Sequence, residues 1–149
     1  MNIDSYIKDR LDDQINWYNK KSVNFKRWHE RLSISSIILG ALVALIPAFV
    51  LYNSNFKELS ILISSILGAI IVIIQTVDKL KKYKELHIQY RHTCERLKHE
   101  KYMFQYKAGD YLDGDPRQLE GLFIERCESI MSTEVGNWAS LNEKKKEQN

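Results

Sequence analysis

The chain has 149 residues, enough for one domain, and carries 22 Lys and Arg against 19 Asp and Glu, a formal net charge of +3 and a mean hydropathy of -0.36. That polar average hides its distribution, because the apolar residues are concentrated in the middle and the charges in the flanks. A cleavable leader is not expected, since a long polar, helix-patterned stretch precedes the first apolar run; a disulfide framework is not indicated by two cysteines without a C-x-x-C; and basic residues that form no stripe interleaved with stacking aromatics require no nucleic-acid partner.

Residues 1–5 carry no pattern, and a frayed start is expected. From there Leu11, Ile15, Tyr18, Ser22, Phe25, His29 and Leu32 recur at alternating steps of four and three, the seam of a coiled-coil-like helix. Neither Gly nor Pro occurs before Gly40, so the helix of residues 1–31 is predicted to run unbroken into residues 32–56, which hold no charge. A second uncharged run covers residues 59–77, with only Lys57 and Glu58 between the two. At the helical rise these runs extend about 37 Å and about 28 Å, against a bilayer hydrocarbon core of about 30 Å, so each can cross once. Pro47 removes a backbone donor deep in the first run, where a kink is expected.

Both runs have sorted surfaces. On the first, Ser36, Gly40, Ala44 and Ala48 step strictly by four, a ridge of small residues along which membrane helices approach closely, because lipid gives no hydrophobic reward for association. On the second, Ser60, Ser64 and Gly68 step likewise. Set antiparallel, Ala48 faces Ser60, Ala44 faces Ser64 and Gly40 faces Gly68. Leu62, Ile63, Ile66, Leu67, Ile70, Ile73, Ile74 and Val77 fill the other half of the second helix with branched aliphatics suited to lipid. The polar half also holds Ser65, Gln75 and Thr76, which either satisfy hydrogen bonds within the hairpin or line a water path in an oligomer.

Carried beyond the apolar runs, the same register sets Trp28 near Leu80, Phe25 near Tyr83, Tyr18 near Tyr90 and Leu11 near Leu97. The arm of residues 78–106 has its own seam at Leu80, Tyr83, His87, Tyr90, Cys94, Leu97, Lys101 and Phe104. A turn-rich stretch from Ala108 to Gly114 follows. Asp115, Pro116 and Gln118 then provide a helix cap, a proline at the first helical position and a capping-box partner. The last helix, residues 116–142, aligns Leu119, Phe123, Cys127, Ile130, Trp138 and Leu141, and residues 143–149 read as a charged tail. The expected fold is all-α, one domain over residues 1–142: a two-helix transmembrane hairpin continued into a long cytoplasmic antiparallel helix pair, with a third C-terminal helix packing on it. Lys20, Lys21, Lys26, Arg27 and Arg31 before the first run, and Lys79, Lys81, Lys82, Lys84 and Arg91 after the second, outweigh Lys57 in the connection. This bias directs both termini to the cytoplasm, where Cys94 and Cys127 stay reduced.

No motif for chemistry emerges. Gly109 and Gly114 are too far apart for a phosphate loop and lack a following Lys-Ser or Lys-Thr; G-x-S-x-G and H-E-x-x-H are absent. His87, His92, His99 and Cys94 crowd one helix, but His92 and His99 are about 10 Å apart along its axis, too far for one ion. No catalytic residue, metal or cofactor is therefore expected. Glu134, on the apolar face of the last helix, is either a carboxylate paired at the rim of the bundle or a switch residue that biases two arrangements.

Four segments together carry a resemblance: Leu11-Asp12-Asp13-Gln14-Ile15-Asn16-Trp17-Tyr18; Lys26-Arg27-Trp28; Tyr90-Arg91-His92-Thr93-Cys94-Glu95-Arg96-Leu97-Lys98-His99-Glu100-Lys101-Tyr102; and Leu122-Phe123-Ile124-Glu125-Arg126 with Glu134 and Trp138. In order and spacing, over roughly residues 10–141, they resemble the SLATT family of bacterial two-transmembrane proteins. The resemblance implies an inner-membrane effector of a conflict or antiphage system. It further implies a homo-oligomer that opens a pore in the lipid bilayer on a signal from a nucleotide-signal synthase or sensor protein. The alternative is a non-conducting anchor or scaffold whose cytoplasmic bundle docks a partner.

Overall fold

A computed structural model describes the backbone of residues 2–52 and 57–146, and the side chains of residues 2–48 and 57–133. Among the described residues there is no strand. In chain order the elements are α1 (Ile3–Tyr6), a π-helical turn (Ile7–Leu11), α2 (Asp12–Tyr52), α3 (Lys57–Lys81), α4 (Tyr83–Gln105), a short 3-10 turn (Gly109–Tyr111) and α5 (Pro116–Lys146). By its internal contacts the chain divides into two units. One comprises Met1–Ser22 with Ile88–Asn149, the other Val23–His87.

The first unit has a core. Tyr6, Leu11, Ile15, Tyr18, Cys94, Leu97, Tyr111, Phe123, Cys127, Ile130 and Met131 are buried together, drawn from the first turns, the start of α2, α4, the 3-10 turn and α5. The expected seam positions meet: the Tyr18 and Tyr90 rings are 5.8 Å apart, and Leu11 and Leu97 are both fully buried in the one cluster. The chain start differs from the frayed segment expected. Asn2 caps α1 by accepting the Asp4 N–H at 3.4 Å, and in the following turn the Asp12 N–H reaches the Ile7 carbonyl five residues back. A turn of this width brings residues five apart onto one side, which is how Tyr6 and Leu11 both enter the core.

Helix α4 ends one residue before the expected Tyr106. Its end is a Schellman motif in which Ala108 N–H donates to the Met103 carbonyl and Lys107 N–H to the Phe104 carbonyl. Lys107 takes the left-handed conformation, φ +49°, that glycine usually supplies there. Asp115 caps α5 as its spacing predicts, accepting the Gln118 N–H through a side-chain oxygen at 3.3 Å. The backbone of helix α5 runs past residue 142 to Lys146, where a tail was expected. Residues 147–149 lie outside the described structure.

In the second unit α2 and α3 are long and apolar enough to cross a membrane. Pro47 lies inside α2 without ending it. Tyr83 contacts both Phe25, at 6.1 Å between ring centroids, and Trp28, stacked at 6.5 Å and 19°. The arm after the second apolar run is not one helix with it. Lys82 adopts φ +52°, a left-handed conformation costly for a residue with a Cβ, and separates α3 from α4. Leu80, expected in the seam, lies before the break and off the α3 face marked by Ile71, Ile74 and Asp78, and is 64% exposed; the break re-phases the residues that follow, and Trp28 lies on Tyr83 instead.

Candidate functional site

Residues of the apolar helices that are partly covered define the face each turns to the other. On α2 these are Leu32, Ser33, Ser36, Leu39, Gly40, Val43 and Ile46; on α3 they are Ser60, Ser64, Leu67, Gly68, Ile71, Ile74 and Asp78. The steps alternate between three and four. The strictly four-stepped ridges expected from the sequence follow this face only in part: Ser36, Gly40, Ser60, Ser64 and Gly68 lie on it, while Ala44 and Ala48 are exposed. The reason is geometric, since four residues turn an α-helix by more than a full revolution. A four-step row therefore wanders around the helix, whereas alternating steps stay on the side of a nearly parallel neighbour.

The glycines do not mark an intimate contact inside the chain. A Cβ built on Gly40 or on Gly68 meets nothing within 4 Å, so neither is needed to let the second helix approach. Of the three residues proposed to line a water path, all are exposed. Ser65 donates its hydroxyl to the Ile61 carbonyl at 2.8 Å and Thr76 to the Val72 carbonyl at 2.7 Å. Such i−4 bonds satisfy a hydroxyl without water, which leaves Gln75 as the polar group with most to gain from a partner.

Gln75 borders a cavity of about 190 Å³ together with Leu32, Ser33, Ser36, Ile74, Asp78 and Lys79. At its edge lies a pair that the sequence reading did not single out. His29 Nδ1 is 2.9 Å and 3.1 Å from the two carboxylate oxygens of Asp78, with both side chains mostly covered. The signal was present: Asp78 is the acid that immediately follows the second apolar run, and the seam register pairs its position with residue 29 or 30.

In the first unit, charged side chains tie the helices together. Arg10 grips Glu128 with two hydrogen bonds, 2.6 Å and 2.8 Å, and the Tyr6 hydroxyl donates to the same carboxylate at 3.0 Å. Arg10 thereby holds the Glu128 pKa below the usual carboxylate range, while burial, reinforced by that hydrogen bond, raises the Tyr6 phenol. On the other flank Tyr111 donates to Glu100 at 2.5 Å, and Arg126 reaches Glu100 at 3.4 Å and Asp110 at 2.5 Å. Lys101 bonds Asp12 at 2.5 Å. Three of the four segments that carry the sequence resemblance thus meet one another, Asp12 with Lys101 and Glu100 with Arg126, as braces of a helical unit.

The thiols are free and fully buried. Burial raises the Cys94 pKa and, with the charges of Glu100 and Glu128, pushes Cys127 up to about 12. Both are therefore neutral and shielded, the opposite of a nucleophile's setting. His92 and His99 are exposed while Cys94 points into the core, and no three potential metal ligands converge among the described residues. The Glu134 side chain lies outside the described residues, as do those of Trp138 and Leu141.

The model of a family described as "Protein of unknown function (DUF4231)" matches residues 13–118. No curated protein and no solved structure matches. The matched span runs from the first turn of α2 to the first turn of α5, through both apolar helices. The chain belongs to the DUF4231 family.

Proposed function

We propose that this chain is an integral membrane protein that crosses the bacterial inner membrane twice, with both termini in the cytoplasm, and acts as an effector rather than an enzyme. The observation that carries the membrane assignment is the uncovered surface of α2 and α3. No residue of α3 is buried. Ile34, Ile37, Ile38, Leu42 and Leu45 on α2, and Leu59, Ile61, Leu62, Ile66, Val72 and Ile73 on α3, are each more than 45% exposed. Soluble monomers seldom leave apolar patches beyond a few hundred Å². Lipid and further protein are the natural cover.

On this reading the chain is of SLATT type, and the Gly40 and Gly68 positions, open toward their Cβ directions, serve contacts between copies. A homo-oligomer would gather Gln75, with Ser65 and Thr76 beside it, toward a conduit, on a signal from a nucleotide-signal synthase or sensor protein that acts through the helical unit of residues 1–22 and 88–149. Dye release from liposomes carrying the purified protein, with and without its activating partner, tests this. Release that depends on the partner supports the effector; no release under any oligomer-forming condition removes the pore.

A second reading has support of its own. Because Ser65 and Thr76 bond their own helix, the polar side of α3 can face lipid or protein without water, as a non-conducting anchor or scaffold requires. The same assay decides between them.

A further inference from the structure

The end of the hairpin unit that holds His29 and Asp78 is strongly basic. Residues 23–31 and 78–87 contain seven Lys and Arg against three carboxylates. The carboxylates are engaged: Asp78 with His29 at 2.9 Å, Glu30 with Lys26 at 3.6 Å, and Glu85 with Lys82 at 3.5 Å. Arg27, Arg31, Lys79, Lys81 and Lys84 are exposed and form no ion pair among the described residues. Beside them Trp28 is 52% exposed with one face stacked on Tyr83, and Leu80, near the end of α3, is 64% exposed. Cations, an amphipathic indole and an outward leucine therefore occur together at one end of two apolar helices. The opposite end offers only Lys57 and Glu58 as charges.

We infer that this collar is a binding surface for anionic phospholipid headgroups, with Arg27, Arg31, Lys79, Lys81 and Lys84 holding phosphate and Trp28 and Leu80 seated at the acyl boundary. The inference rests on the membrane assignment above and goes beyond it. Spanning a bilayer needs only apolar length, whereas uncompensated cations at the interface select lipid by charge. Clusters of four to eight basic residues immediately flanking a span bind anionic lipid, each contributing about fivefold to the affinity. Guanidinium groups at Arg27 and Arg31 add forked hydrogen bonding to phosphate. Exposed indole at headgroup depth is the usual company of such sites.

The test uses the full chain reconstituted in vesicles of phosphatidylcholine alone or of equal parts phosphatidylcholine and phosphatidylglycerol. Flotation with the vesicles reads insertion, and the phosphatidylglycerol to phosphatidylcholine ratio retained on the detergent-extracted protein reads selectivity. The wild type should float with both vesicles and retain the anionic lipid preferentially. The triple variant Arg27→Gln, Lys81→Gln, Lys84→Gln should float equally, which shows that it still inserts, and keep the wild-type helical circular dichroism, yet lose roughly a hundredfold in preference. A variant with the same charge removed from the other unit, Lys8→Gln, Lys98→Gln, Lys107→Gln, should keep the wild-type ratio. Equal retention of both lipids by the wild type, or equal losses in the two triple variants, overturns the collar and leaves the membrane assignment standing. Failure of the wild type to float overturns both.

Discussion

Phe123 is the centre of the first unit, and its removal should be measurable through the unit's own thiols. Its side chain is fully buried among three other rings: Phe104 stacked at 4.3 Å and 14°, Tyr111 edge-on at 6.2 Å and Tyr6 edge-on at 6.3 Å. Those rings come from α4, the 3-10 turn and α1, so Phe123 connects three elements of the unit to α5. Phe123→Ala leaves a cavity that backbone cannot fill, at a cost of about 3–5 kcal/mol. The upper half of that range is expected because the stacked pair with Phe104 is also lost. Cys94 and Cys127 are fully buried and react only when the unit opens. Maleimide labelling in detergent, under conditions where reclosing is faster than reaction, reports that opening equilibrium. A change of about 1.4 kcal/mol is tenfold, so labelling of the variant should accelerate by roughly a thousandfold or more. Acceleration below about fivefold, equivalent to about 1 kcal/mol, would refute the packing described for this core.

Three further outcomes follow from the same contacts. The folded pKa of Glu128 is lowered chiefly by Arg10, so its stabilising contribution is present above its ordinary value of 4.5 and is lost as pH falls through the lowered one; Glu128→Gln should flatten the acid side of a stability-versus-pH curve. Since both partners are more than one third exposed, that effect should be about 1 kcal/mol or less, and an unchanged acid limb would show the pair to be idle. Cys127 behaves in the opposite direction: its folded pKa is raised from 9.0 to about 12, so stability is fully present below pH 9 and declines as pH rises toward 12. Cys127→Ala should be less stable at neutral pH yet lose less on alkaline titration, as followed by helical circular dichroism, and parallel alkaline curves would contradict the burial. Gly68→Ala meets no atom and should leave the isolated chain neutral or more stable by up to about 1 kcal/mol from helix propensity. Gly68→Leu should impair assembly of copies while leaving monomer helicity intact, and loss of monomer helicity instead would place Gly68 at a tight contact within the hairpin.

Legibility differed between the two units. Tyr18 with Tyr90, Leu11 with Leu97 and Phe25 with Tyr83 could be paired from the sequence because a seam at alternating steps of four and three has only one side to bury, and two such seams joined by a short connection have one register. The Asp115 cap was legible for a similarly local reason, since its partners lie within three residues. The polar groups most engaged in the structure were not. Arg10 finds Glu128 across elements far apart in sequence, and exposed charged residues carry no period by which to locate a partner; His29 with Asp78 differs, since the seam register did set Asp78 opposite residue 29 or 30.

What the sequence by itself determined is the all-helical class, the two apolar runs of bilayer length and the buried stripe of each polar arm, because hydrophobic periodicity acts through the helix alone. Which side of α2 and α3 is covered, where the second long helix breaks and how the chain begins were decided by tertiary structure. Small residues at four-step spacing look like a single ridge on paper, yet only alternating steps remain in contact with a neighbouring helix. A left-handed Lys82 and a π-turn at Ile7–Leu11 have no local residue signature. Each re-phases a helix by a fraction of a turn, and what decides that phase is the neighbour against which the next side chain must fit.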